Sequence, residues 1–366
     1  MKKITVAVII IIIIGVCLAL AGFAAGGLQG AWIDRGGIHL ANAENGNLVT
    51  VDKSYKSLKD IVVNADLMSS ITFKEGDSYS VRGQNYERYG GLNVRLSGDT
   101  LYIDATRSHK WLNFDIGIKN LVNGDADSSW LEITYPKGAK LGNVHVDLGT
   151  GSVSASDIDC DELYLEDSFG KINASTVSCG KLTVKAASGD VQLSGLDVSG
   201  SASVNDSFGN VNITGASADS LTVDLSAGNA SISDVTARTA DISNNLGRIG
   251  LNNLTADSLG LKLSSGDLNA DSITTNDLSA ESSLGKISID RLVLNGSGLI
   301  KQSSGDVSVN LDMNESDLSY ELDTNTGSVN VDGRSFGSYM SNNSTGAGAS
   351  LTVNSSLGNI TLRFMQ

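Results

Sequence analysis

Residues 207–237 read SFGNVNITGASADSLTVDLSAGNASISDVTA. Two Ser-x-Gly turns stand in it, Ser207-Phe208-Gly209 and Ser226-Ala227-Gly228. Apolar residues follow each glycine at the second and fourth positions: Val211 and Ile213, then Ala230 and Ile232. The pairs Ala216/Ala218 and Leu221/Val223 come before the next turn. An apolar-x-apolar pair is a short strand with both side chains on one face.

The same phrase runs through the second part of the chain. Its glycines are Gly151, Gly170, Gly189, Gly209, Gly228, Gly247, Gly266, Gly285 and Gly305, spaced 19 or 20 apart, and Gly327 and Gly358 continue it at 22 and 31. Counted from the glycine, +2 reads Val153, Ile172, Val191, Val211, Ala230, Ile249, Leu268, Ile287, Val307, Val329 and Ile360. Position +4 carries Ala, Leu, Ile or Val throughout, and +7 carries Ile158, Val177, Leu196, Ala216, Val235, Leu254, Ile273 and Leu292. Position +9 is mostly small and includes Cys160 and Cys179. A period of about 20 residues with phase-locked apolar positions predicts a solenoid. Three pairs per repeat predict three short strands facing a shared interior, with successive coils stacked in parallel about 4.8 Å apart. The turn glycine permits a positive φ where the chain bends. A 38-residue coil is the alternative. The 19-residue coil is preferred because each 19-mer holds enough strands to close.

A second alternation overlies the first. The residue before the glycine is large in Phe169, Phe208, Leu246 and Leu284, and small in Ser188, Ala227, Ser265 and Ser304 on the coils between. The residue after it follows suit: Lys171, Asn210, Arg248 and Lys286 against Asp190, Asn229, Asp267 and Asp306. Large side chains want small neighbours in a close-packed stack, and alternating charge avoids ladders of like charge.

The reading therefore expects an all-β chain: a right-handed parallel β-solenoid of about 19-residue coils over 148–366, with a β-rich capping domain before it. That domain, 51–147, shows period-two strands such as Leu92–Leu96 and Leu131–Tyr135, the latter ended by the only proline, Pro136. Trp111 and Trp130 lie there. Aromatic mass at one end suits a cap over the open core, and a ligand pocket around the tryptophans is the sharper alternative. Residues 26–50, rich in Gly and Asn, read as a linker or as irregular first strands. Lys2 and Lys3 precede an apolar stretch from Ile4 to about Ala25. That length suits a single transmembrane helix better than a signal-peptide core. The lysines place the N-terminus in the cytoplasm and the rest outside the cell membrane. Cleavage near Gly22-Phe23-Ala24 is the alternative.

Formal net charge is −15, and 151–366 hold 11 basic against 26 acidic side chains. An acidic surface repels phosphate backbones and argues against nucleic acid as a partner. Three cysteines without a CxxC or Cys/His cluster argue against zinc. Cys160 and Cys179 hold the same position in successive repeats and are expected as neighbours on adjacent coils, as a disulfide or as two reduced thiols. His39, His109 and His145 lie far apart in sequence and read as surface residues. Asp190, Asp267 and Asp306 are alternate-coil turn carboxylates, better suited to solvent than to a cation. No GxSxG, Walker loop or calcium nonapeptide occurs. Catalytic, cofactor and metal residues are accordingly expected to be absent, and the chain is expected not to be an enzyme.

The passage Leu131-Glu132-Ile133-Thr134-Tyr135-Pro136-Lys137-Gly138, the Ser-x-Gly-Asp-Val repeats and the closing Leu351–Ile360 resemble the bacterial putative-adhesin family. This is a β-strand-repeat domain of unknown function, and the resemblance covers roughly 57–366. It implies an envelope-exposed protein, with some members similar to accessory proteins of envelope-stress systems, and it supplies no catalytic residues. Two non-enzymatic expectations follow: an adhesin-like scaffold touching a cell-wall polymer or another envelope protein, or an accessory sensor acting through its anchor. A polysaccharide-active β-helix enzyme is the third.

Overall fold

The computed structural model describes residues 31–34, 37–40, 47–107 and 129–365. The expected membrane span, Trp111 and His109 lie outside them. Among the described residues no helix is long and apolar enough to cross a membrane. Those residues are all-β, relieved only by the short 3-10 turns Glu87–Tyr89 and Glu315–Asp317.

The repeats stack in parallel and in register. Val191–Ser194 lies beside Val211–Thr214, which lies beside Ala230–Ser233, which lies beside Ile249–Asn252. Every named +2 and +7 side chain is buried, as is every one at +9 except Ala218, which is half-buried. The two longer coils absorb their extra residue at one corner. The register shifts between Val198 and Ser201, and again opposite Thr275 and Asp277.

The glycine corner is set by two constraints at once. Gly228 has φ +136°, and a Cβ there would stand 1.6 Å from the carbonyl oxygen of Gly209 on the coil below. The same approach recurs up the stack, from Gly151 against Met68 to Gly358 against Gly305 and Gly327 against Gly358. A side chain is excluded by contact as well as by backbone conformation.

A second corner lies six residues beyond each glycine from Gly151 to Gly247. Asp157, Thr176, Gly195, Gly215, Asp234 and Asn253 all take φ between +54° and +66° there. Asp, Asn and Gly tolerate this region, whereas a β-branched residue is strained in it. Thr176→Asn is therefore expected to stabilise the fold by about 0.5–1 kcal/mol, read as a rise in the urea midpoint at unchanged slope.

Both ends depart from simple chain order. Ser297–Ser304 pairs with Ser350–Leu357, and that segment pairs in turn with Leu318–Thr326. The last coil of the sequence is thus inserted beneath the coil that precedes it. The N-terminal end mirrors this. Asp60–Ala65 lies between Thr100–Ala105 and Val144–Leu148, and Ile71–Phe73 lies between Leu131–Ile133 and Val153–Ala155. Strands within residues 60–105 and 130–136 therefore contribute coils of the same sheet, and residue 148 lies inside the continuous strand run Lys140–Ser188.

Antiparallel strands close the outer edges. Asn93–Ser97 covers Thr100–Ala105, and Tyr79–Tyr86 covers Trp130–Pro136. At the far end Tyr339–Asn342 and Arg334–Ser335 cover the last parallel strands. An open edge of parallel strands would invite further pairing. The stretch between Gly327 and Gly358, where the repeat spacing lengthens, is partly strand, with 343–348 as its unpaired tip and Ala349 buried again.

Candidate functional site: the glycine edge and the flank beside it

The residue before each glycine stands at the apex of the corner. Phe169, Phe208, Leu246, Leu284 and Leu357 are 53–65% exposed there. In register between them lie Ser188, Ala227, Ser265 and Ser304, with Thr326 on the outermost coil. Soluble surfaces seldom carry large apolar side chains in such a row. Packing in the same chain does not explain the alternation, because side chains this exposed are not packed against their neighbours.

Beside the stripe runs a polar ladder. Asn210 donates from both its backbone and its side-chain nitrogen to Asp190 Oδ1 at 3.1 Å. Asn229 does the same to Asn210 Oδ1, and Arg248 donates its backbone N–H to Asn229 Oδ1. Asp267 and Asp306 accept backbone N–H groups from Lys286 and Asn359. These turn carboxylates serve the neighbouring coil. Among the described residues no group of three or more His, Cys, Asp or Glu is placed to hold a metal ion.

Three residues before the glycine the side chains turn inward. Asp167, Asp206, Asn244, Ser282, Gln302, Thr324 and Ser355 are buried in this row. Ala186, Leu225 and Leu263 fill it on the coils between. Asp206 Oδ1 accepts the N–H of Phe208 at 3.1 Å, and Asp167 Oδ1 that of Phe169. Their Oδ2 atoms have no partner. Burial pushes both carboxyls up to about 6 against that backbone hydrogen bond, with a lesser upward push on Asp206 from Asp190. Asn244 shows what the position accommodates: its Nδ2 donates to the carbonyl of Gly228 at 2.9 Å while its Oδ1 accepts from Leu246.

On the exposed rows beside this one, toward the C-terminal end, a cleft opens. It holds about 520 Å³ and crosses five coils, lined on its outer rows by Ser264, Ser283, Ser303, Ser356, Lys262 and Lys301. Those five coils span about 19 Å at the spacing of parallel strands. Ser282, Gln302 and Ser355 lie behind it, at most 6% exposed, with their side-chain oxygens turned inward and without hydrogen-bond partners. A hydroxyl or amide oxygen left unpaired at such burial is costly.

On the same flank near the other end the stack gathers titratable side chains beside an aromatic pair. The His145 and Tyr164 rings stack at 4.4 Å. The Tyr164 hydroxyl donates to Glu166, and the Lys185 ammonium lies 5.2 Å from the Tyr164 ring. Burial and the nearby Glu166 raise Asp147 above the usual carboxylate range. Sequence spacing leaves His145 isolated, because stacking at the 19-residue offset is what brings it to Tyr164.

Cys160 and Cys179 are buried and unbridged, and their thiols hydrogen-bond to each other. That bond and burial hold Cys160 protonated. At the N-terminal end Trp130 is half-buried beside the cap. The cap core is Tyr89, 2% exposed, and Asn85, whose Nδ2 donates to the Gly91 carbonyl at 2.9 Å and whose Oδ1 accepts from Ser129.

The family model described as Toastrack DUF4097 matches residues 58–225 and 199–363. No curated protein is significantly similar. Among solved structures, a putative adhesin from Bacteroides fragilis is 14% identical with a TM-score of 0.34, over 86% of this chain and 97% of that one. A putative cell adhesion protein from Clostridium sporogenes is 9% identical with a TM-score of 0.24, over 87% and 100%. A putative lipid binding protein from Parabacteroides distasonis is 14% identical with a TM-score of 0.29, over 86% and 97%.

Proposed function

The chain belongs to the Toastrack DUF4097 family, and on that premise we propose that it is a non-enzymatic binding scaffold of the cell envelope. The N-terminal apolar segment, 4–25, anchors it in the membrane with the N-terminus cytoplasmic and the stack outside. The coil winds right-handed, the sense parallel crossovers take. The ligand is a hydroxyl-rich cell-wall polymer lying along the cleft over the five coils from Lys262 to Asp323. The observation that carries this reading is a cleft rimmed over five coils by the exposed hydroxyls and amides of Ser264, Ser283, Ser303, Ser356, Asn325 and Asn354. Lys301 lies against Glu281 at 3.2 Å, so the charges along the rim largely offset each other and a neutral polyhydroxyl segment fits better than a polyanion.

Ser283 and Ser303 are exposed at the mouth of the cleft. Ser283→Trp with Ser303→Trp is expected to lower retention on purified cell-wall polysaccharide at least about tenfold, with the circular dichroism spectrum unchanged. A tenfold change corresponds to about 1.4 kcal/mol. Undiminished retention would contradict the cleft as the site. Release of shortened saccharide, abolished by Glu166→Gln in a folded protein, would overturn the non-enzymatic reading, since Glu166 sits in a cluster that offers acid–base groups beside an aromatic.

A further inference from the structure

We propose that the glycine edge is a self-association surface on which a second copy of this chain docks antiparallel, large apolar residues of one copy seating on the small ones of the other. The argument rests on parity. Phe169, Phe208, Leu246, Leu284 and Leu357 occupy every second coil, about 9.6 Å apart at the parallel-strand spacing. Ser188, Ala227, Ser265, Ser304 and Thr326 leave depressions of the same period between them. A second identical edge laid antiparallel over all ten coils is complementary in shape along its whole length, because the stack begins on a large residue and ends on a small one.

The neighbouring row obeys the same parity in charge. Coils with a large residue carry Lys171, Asn210, Arg248, Lys286 and Asn359, each basic or neutral. Coils with a small residue carry Asp190, Asn229, Asp267, Asp306 and Ser328, each acidic or neutral. Any pairing that seats large on small therefore sets basic or neutral groups against acidic or neutral ones and never like against like. Full antiparallel overlap of the ten coils puts Arg248 opposite Asp267 of the second copy, twice across the two-fold axis. An isologous contact of this kind closes as a dimer and does not propagate. Charge complementarity of this order favours one register and speeds docking more than it deepens affinity.

The test is inter-chain cross-linking of the full chain reconstituted in lipid vesicles, in a Cys17→Ser background, with a short bismaleimide. Cys160 and Cys179 are buried and stay unreactive. Asp267→Cys, near the two-fold axis, is expected to give covalent dimer. Asn252→Cys, exposed beside the second corner, is expected to give at least about tenfold less. Leu246→Asp with Leu284→Asp should abolish the dimer. Ala227→Phe decides between seating and mere stickiness: it adds apolar surface but fills a depression, so the dimer should fall several-fold. Circular dichroism confirms that each variant is folded. Absence of dimer from Asp267→Cys, equal yield from Asn252→Cys, or a gain with Ala227→Phe would overturn the proposal. The cleft variants Ser283→Trp and Ser303→Trp are expected to leave the dimer yield unchanged, which separates this surface from the binding site proposed above.

Discussion

Gly228→Ala is expected to destabilise the fold by about 4 kcal/mol or more, at the top of the range for single substitutions. A Cβ at this position would stand 1.6 Å from the Gly209 carbonyl oxygen and 2.7 Å from its carbon, both backbone atoms that cannot step aside. The φ of +136° adds strain of its own. Gly215→Ala is the control. It lies at the second corner with φ +66°, and nothing comes closer to its Cβ than the Gly195 nitrogen at 3.8 Å. Its cost is that of a left-handed residue alone, about 1–2 kcal/mol. Urea unfolding of the two variants separates contact from conformation. Equal losses would mean that the coils do not approach as closely as described.

The second large effect concerns charge. Asp167→Asn with Asp206→Asn is expected to stabilise the protein at pH 7.5, on the order of 3 kcal/mol per site at most. That follows from a carboxyl raised from 3.8 to about 6 at about 1.36 kcal/mol per unit. Both groups are at most 3% exposed. Asp206 Oδ2 and the Gly189 carbonyl oxygen both crowd the space beside Gly209, at 2.6 and 1.8 Å from where its Cβ would be. Two acceptors so placed repel when the carboxyl is ionised. An amide there donates instead, as Asn244 Nδ2 does to Gly228 and Gln302 Nε2 does to Gly285 at 2.7 Å. The sign follows from folded values above the unfolded one. The folded state then holds extra protons between about pH 4 and 6, so this contribution to stability grows as pH falls through 6 and is lost as pH rises. The wild-type chain should gain stability relative to the double variant between pH 7.5 and 5. A double variant less stable than wild type at pH 7.5 would contradict the placement of these carboxyls.

The repeat is legible in one line of sequence because its signal is local: a glycine and a +2/+4 pair in every coil. Two elements of the coil are less visible. The second corner uses Asp, Thr, Gly and Asn interchangeably, so Asp157, Thr176, Gly195 and Asn253 share a conformation without sharing a letter. The inward row three residues before the glycine alternates Asp, Asn or Ser with Ala or Leu, and its polar members mask its burial. The apolar partners Leu225 and Leu263 at the same phase are the available signal. The cleft lies on the exposed rows beside that row, and the coils that border it are neighbours only because the last coil is inserted. The insertion of the last coil cannot be read at all, since the glycine spacing gives phase but not the order in which coils stack. Long-range order of that kind is fixed by which exposed edge the returning chain meets.

Coil order is open to the most direct test. Ser304 faces Leu357, and Leu357 faces Thr326. Their Cα atoms are then about 4.8 Å apart across each adjacent pair and about 9.6 Å apart between Ser304 and Thr326. Cysteine pairs along this exposed row report that order by oxidative cross-linking, a reaction limited to Cα separations of about 4.4–6.8 Å. Ser304→Cys with Leu357→Cys, and Leu357→Cys with Thr326→Cys, are expected to form intramolecular disulfides, while Ser304→Cys with Thr326→Cys stays reduced. A disulfide between 304 and 326, with none from 304 to 357, would show the coils stacked in chain order and contradict the structure described.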